Sequence, residues 1–151
     1  MENVRFALQS SERRPLSLAL ADRADTLTAA RALLARVGME ARQTRTADAL
    51  SHGDKRKLEL AVAMSREPTM LLLDEPMAGV SMEDVPELVE LIRGLHKEGM
   101  TVCMVEHHMH VVLDLAERIA VLHHGRLLRV GTGDEVTKDP VVKSAYLGEE
   151  I

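Results

Sequence analysis

Apolar residues recur at helical spacing in the first third of the chain and gather into short unbroken runs after it. From Ala24 to Met39, Leu27, Ala30, Leu33, Leu34 and Val37 fall three or four positions apart, one face of a helix, and Gly38 offers a stop. Glu2 to Ser10 is patterned for a short helix. Ser10 to Asp25, with Pro15 and the run Ser11-Glu12-Arg13-Arg14, is a polar, Arg-rich link. Leu58, Ala61, Val62 and Met64 predict a helix over Asp54 to Ser65, its start marked by Ser51 and Gly53. Met70 to Leu73 is an apolar run between Pro68 and Pro76, the pattern of a strand buried on both faces. Ser81 to Asp84 has the capping-box spacing and opens a helix to about Lys97, ended by Gly99. Strands follow at Thr101–Val105, Ile119–Leu122 and Arg126–Val130. A helix spans Met109 to Glu117, a tight turn falls at His124-Gly125, and short helices lie near Asp134–Thr137 and Pro140–Leu147. Strands separated by helices predict an α/β fold with a mainly parallel sheet and flanking helices.

Composition narrows the class. The chain has 151 residues, a net charge of −5 and 46% hydrophobic residues, the profile of an ordinary soluble domain. The acidic balance argues against sequence-independent nucleic-acid binding, and no partner of that kind is expected. No apolar run approaches the ~20 residues that span a bilayer. The lone Cys103 cannot form an internal disulfide, which fits a reducing cytoplasm. Phe6 and Tyr146 are the only aromatics, so the core must rest on Leu, Val, Ala, Ile and nine Met residues, and base-stacking platforms are excluded. Met100, Met104 and Met109 are read as packing residues on that ground.

Three local patterns carry chemistry. Asp74-Glu75 ends the apolar strand ahead of Pro76, where open α/β sheets place their ligands. An Asp there can hold Mg²⁺ through its water shell and a Glu can activate a water, although a solvated acidic turn has the same pattern. Leu50-Ser51-His52-Gly53-Asp54 opens a helix whose first N–H groups and dipole suit a terminal phosphate, or simply caps that helix. Val105-Glu106-His107-His108 ends the next strand with an imidazole.

In order and spacing these patterns resemble the ATP-binding-cassette (ABC) ATPases. Leu50–Asp54 is similar to the family's signature motif, Leu71–Pro76 to its Walker B strand, Ala78-Gly79-Val80-Ser81 to its D-loop and Glu106-His107 to its switch histidine. Ala78–Ser81, Val105–Met109 and Ala145-Tyr146-Leu147-Gly148 together resemble the branch serving branched-chain amino acid and urea importers. The resemblance implies a P-loop NTPase-like core, ATP and Mg²⁺ as ligands, and ATP hydrolysis coupled to transport. Ser51, His52, Gly53 and Asp54 would bind nucleotide held by a second ATPase subunit, homo- or heterodimeric. Asp74 would support Mg²⁺, Glu75 would act as general base, and His107 would reach the γ-phosphate, while Ala78, Gly79, Val80 and Ser81 would couple the two sites. Transmembrane permease subunits would hold the protein on the cytoplasmic face of the inner membrane, with a solute-binding protein as an indirect partner.

Two departures qualify this. His52 and Asp54 replace residues that are commonly glycine and glutamine. No G-x-x-x-x-G-K-[ST] phosphate loop occurs in the chain, and the family's glutamine loop is missing too. Met1-Glu2-Asn3-Val4 resembles the segment just after that glutamine loop. The expectation is therefore the C-terminal part of a nucleotide-binding subunit, inactive alone, with residues 1–50 a helical-subdomain portion and 51–151 the second half of the ATPase core. Two alternatives remain open: a non-hydrolytic partner presenting its signature motif to a complete subunit, and a metal-binding protein built on His107, His108, His110, His123 and His124. Strand alternation keeps the two neighbours from both pointing at one phosphate, and the resemblance implies that His107 reaches it while His108 begins the next helix facing solvent.

Overall fold

A computed structural model describes the backbone of residues 1–11 and 20–147, and the side chains of 1–10 and 25–145. The described backbone forms α1 (Glu2–Ser11), α2 (Leu20–Arg36), short 3₁₀ turns at Glu40–Arg42 and Ala47–Ala49, α3 (His52–Met64), β1 (Met70–Asp74), α4 (Val85–Lys97), β2 (Thr101–Val105), α5 (Met109–Leu115), β3 (Ile119–His123), β4 (Arg126–Gly131), α6 (Gly133–Lys138) and α7 (Pro140–Leu147). The chain divides into two compact units, Met1–Val105 and Glu106–Ile151. The expected boundary at residue 50 follows motif content, whereas this one follows packing.

In the first unit, α1, α2 and α3 pack on one another and α3 on α4. The α3 stripe is Gly53, Lys57, Leu60, Ala61 and Met64, and α4 buries Val85, Leu88, Val89, Ile92 and Leu95. Met39, Met64 and Met77 are fully buried, filling space that aromatics would otherwise take. Strands β1 and β2 pair in parallel from Met70↔Thr101 to Asp74↔Val105. This pairing puts Met70, Leu72 and Asp74 on one face with Thr101, Cys103 and Val105.

Several expectations change here. β1 is not buried on both faces: Leu71 is buried, but Leu72 is 75% exposed and Met70 also faces outward. Among the described residues nothing covers that face. The link expected to run to Asp25 is shorter, because α2 already starts at Leu20; Glu12 to Pro15 lie outside the described residues. The Ser81 box forms only in part. Ser81 Oγ accepts the Asp84 N–H at 3.3 Å, yet residues 81–84 make a turn and α4 begins at Val85, with Pro86 in its first turn. Met109 is exposed rather than packed.

In the second unit, β3 and β4 form an antiparallel hairpin with an irregularity between Val121 and Leu122. The turn at His124-Gly125 has φ of 47° and 73°, the two positive values of a type I′ turn, so the sequence signal is realised. Ile119, Val121, Val136 and Val142 form a small core, backed by Val112, Ala116 and Leu128. Helix α5 ends at Leu115, two residues before the expected limit, because Ala116 turns extended. Thr132 and Glu135 close a full capping box at α6. A Cβ at Gly131 would fall 2.7 Å from Glu135 Oε2, so the box depends on glycine there.

Candidate functional site

The signature-like turn is built by helix capping. Ser51 is the N-cap of α3, extended at φ −63°, ψ 165°, and its Oγ accepts the Asp54 N–H at 3.1 Å. Ser51 and His52 are exposed, while Gly53 and Asp54 are buried. The N–H groups of His52 and Gly53 belong to the helix's first turn, ahead of its own acceptors, and carry the positive end of its dipole. Asp54 does not present its carboxylate outward. Its side chain is 8% exposed, and Oδ2 accepts from Arg42 Nε at 2.9 Å. This ion pair neutralises an acid that would otherwise repel an anion at the same helix end.

The Ala78–Ser81 segment lies against that turn. A Cβ on Gly53 would come within 3.1 Å of Asp84, and a Cβ on Gly79, whose φ is +74°, would approach His52 Nδ1 to 3.4 Å. A side chain at 53 would press on Asp84, whereas glycine at 79 answers a conformational need, the positive φ. Lys57, 4% exposed, donates to Glu87 Oε2 at 2.6 Å and so clamps α3 to α4. Ser51–Asp54 and Ala78–Ser81, separate in the sequence, are neighbours within one unit.

Asp74 ends β1, and Glu75 follows in a left-handed conformation at φ 43°. The Glu75 N–H donates to Val105 O at 2.9 Å, and its own carbonyl accepts from Ala78 N at the same distance. These bonds, with buried Pro76 and Met77, hold a turn that leaves both acidic side chains exposed. A left-handed non-glycine residue costs on the order of 1–3 kcal/mol, and such strain concentrates at functional positions. Asp74 offers a hard oxygen at a strand end, a donor suited to Mg²⁺.

In the second unit, Glu106, His107 and His108 follow β2. His107 is exposed; His108 is the N-cap of α5 and sits 2.7 Å from Glu106 Oε2 through Nδ1. His108 thus begins the helix as expected, but its ring is part-buried against Glu106 rather than turned wholly to solvent. The strand stops at Val105, so alternation no longer separates the neighbours, and the two rings lie 4.3 Å apart at a 33° tilt. The five clustered histidines do not share one site: among the described residues the metal-competent group is Glu106, His107 and His108. His123 and His124 instead pair with each other at the hairpin turn.

Arg42, Lys57, Asp84 and Glu87 were not foreseen. Lys57 left a signal, since it stands one turn before Leu60 and Ala61 on the buried face of α3; Arg42, in a short 3₁₀ turn, left none.

Comparison with known proteins gives this geometry a family. A family model described as ABC transporter matches residues 2–78. The high-affinity branched-chain amino acid transport ATP-binding protein LivG of Salmonella typhimurium is 39% identical over 126 residues, covering 83% of this chain and 49% of that protein. The lipopolysaccharide export system ATP-binding protein LptB of Acidithiobacillus ferridurans is 36% identical over 119 residues, covering 79% and 49%. The chain thus spans about half the length of the curated relatives it matches. A solved ATP-binding cassette of an ABC transporter in its ADP conformation superposes with a TM-score of 0.77 at 26% identity, covering 97% of this chain and 63% of that one. A nucleotide-free cassette superposes at 0.78 with 24% identity, a likeness of fold. The α/β fold is accordingly that of the ABC ATPase cassettes, a P-loop NTPase architecture. With half of its residues inside the family model, the chain belongs to the ABC transporter ATP-binding family.

Proposed function

We propose that this chain provides the signature, Walker B, D-loop and switch-histidine parts of an ATP-hydrolysing transporter subunit. In this reading residues 1–50 are the helical-subdomain portion and 51–151 the second half of the ATPase core. The observation that carries it is the packing of the Ser51–Asp54 turn against Gly79 and Asp84. That contact joins the element that would meet one ATP to the loop that would report on the other site.

Bound Mg²⁺ would neutralise phosphate charge and orient the γ-phosphoryl group. The chain's own residues supply part of the remaining contacts. The Ser51 hydroxyl and the His52 and Gly53 N–H groups donate to γ-phosphate oxygens, aided by the α3 dipole. Asp74 would help hold that Mg²⁺ through its water shell, and Glu75 accepts a proton from the attacking water. At the ATP held by its own subunit, His107 donates a hydrogen bond to the γ-phosphate. Positioning and charge neutralisation supply most of the catalysis in phosphoryl transfer. A second ATPase subunit completes each site, and permease subunits hold the assembly at the cytoplasmic membrane face. No helix among the described residues is long and apolar enough to cross the membrane.

The phosphate loop is not among these 151 residues, so hydrolysis requires that loop from elsewhere. For cargo, the likeness to LivG and the sequence pattern favour import of branched-chain amino acids or a related small solute such as urea. The likeness to LptB supports a second reading, lipopolysaccharide export. Co-expression with a phosphate-loop half and each kind of permease tests both. Mg-ATP hydrolysis stimulated by the amino acid permease supports the first reading. Stimulation only by the lipopolysaccharide-type permease supports the second, and no hydrolysis in any combination refutes both.

A further inference from the structure

Where β2 ends, three consecutive side chains turn their donor atoms toward one another. One carboxylate oxygen of Glu106 and one ring nitrogen each of His107 and His108 lie within 4.8 Å of one another. The Glu106 side chain is wholly buried, and its Oε2 accepts the backbone N–H of His107 at 3.1 Å and of His108 at 3.2 Å. Those two bonds fix the carboxylate whatever the imidazoles do. His108 Nδ1 then meets the same oxygen at 2.7 Å, and the exposed His107 ring lies beside that of His108. A buried carboxylate needs a positive partner, and two imidazoles close to it offer nitrogen ligands around one point.

We propose that Glu106, His107 and His108 bind one divalent ion of the borderline class typified by Zn²⁺. The ion takes the place of the proton between Glu106 Oε2 and His108 Nδ1, and that proton leaves to solvent. With metal–ligand bonds of about 2.0–2.2 Å, the two atoms need only spread to roughly 3 Å. Two nitrogens and one oxygen favour Zn²⁺, Ni²⁺ or Co²⁺ over Mg²⁺ and Ca²⁺, which take oxygen ligands. Water on the exposed His107 side completes the shell. His110, whose ring is 6.0 Å from that of His108, stays outside. Metal binding does not depend on the nucleotide reading. Its consequence does, resting on the role proposed for His107: the ion holds the ring that would meet the γ-phosphate, so Zn²⁺ inhibits hydrolysis.

Calorimetric titration of ZnCl₂ into the full chain, carrying no tag histidines, tests the site. One Zn²⁺ per chain is expected, with no binding of Mg²⁺ at the same concentrations. His107→Ala and Glu106→Gln should each weaken Zn²⁺ at least ~10-fold, and His110→Ala by less than about twofold. His107 is exposed, so His107→Ala keeps the fold, checked by circular dichroism, even if Glu106→Gln does not. Absence of Zn²⁺ binding overturns the proposal, as does wild-type affinity in His107→Ala. So does a comparable loss in His110→Ala or in the His123→Ala/His124→Ala pair. One Zn²⁺ per chain lost in His107→Ala, alongside a reconstituted assembly that never hydrolyses ATP, supports the metal site and refutes the nucleotide reading alone.

Discussion

At Glu75 the backbone adopts φ 43°, a conformation that glycine would hold without strain, yet an acid stands there with its N–H tied to Val105 O. Such strain is invisible in the sequence, which shows only two acids before a proline. Gly53 is the opposite case: the sequence offers a helix-opening glycine, and the structure shows what a side chain there would press on. A methyl group there meets the Cβ of Asp84 at 3.1 Å, close to backbone and unable to swing aside. Gly53→Ala should destabilise the first unit by about 1–3 kcal/mol in denaturant unfolding, the usual cost of overpacking. An unchanged midpoint would show that Asp84 yields. Glu135 carries a pH dependence. Hydrogen bonds from the Thr132 N–H and hydroxyl, with Arg129 nearby, hold its carboxyl below the usual carboxylate range. A folded-state value that is lowered contributes stability above the unfolded value and loses it as pH falls through the folded one. The capping of α6 should therefore weaken as pH drops below the ordinary carboxylate range, and Glu135→Gln should flatten that dependence in thermal melts.

The elements show what periodicity reveals and what it leaves out. Helix α3, the parallel β1–β2 pair of α/β character and the His124-Gly125 hairpin were legible, because caps, apolar runs and turn residues are local signals. Exposure was not. Met70 to Leu73 has the composition of a strand covered on both sides, but burial depends on what packs there, which no four-residue run encodes. The same holds for Arg42 with Asp54 and Lys57 with Glu87, where each ion pair joins segments that only the tertiary fold brings together. Exposed Leu72 and Val105 in the first unit, and Leu122 and Leu127 in the second, make apolar strand faces that favour association. Leu72→Thr and Leu122→Thr should lower light scattering of the concentrated protein while shifting stability by less than about 0.5 kcal/mol. Threonine keeps the strand preference while reducing the apolar surface. Unchanged scattering would mean that these faces do not drive association.

For the whole molecule, membership of the ABC ATPase family was readable from the sequence, and the family match agrees with that. Without a phosphate loop, Asp74, Glu75 and the α3 N-terminus supply only part of a nucleotide's contacts. The chain by itself should show no ATP binding by calorimetry, and micromolar affinity would contradict this. The central claim is that Glu75 removes the proton from water attacking ATP. Its most direct test is single-turnover hydrolysis in the assembly restored with a phosphate-loop half, comparing Glu75 with Glu75→Gln. The amide keeps shape and hydrogen bonding but cannot accept the proton. ATP should still bind while hydrolysis slows at least ~10²-fold, the low end of a positioned base's contribution. Equal single-turnover rates in the two proteins would contradict the assignment.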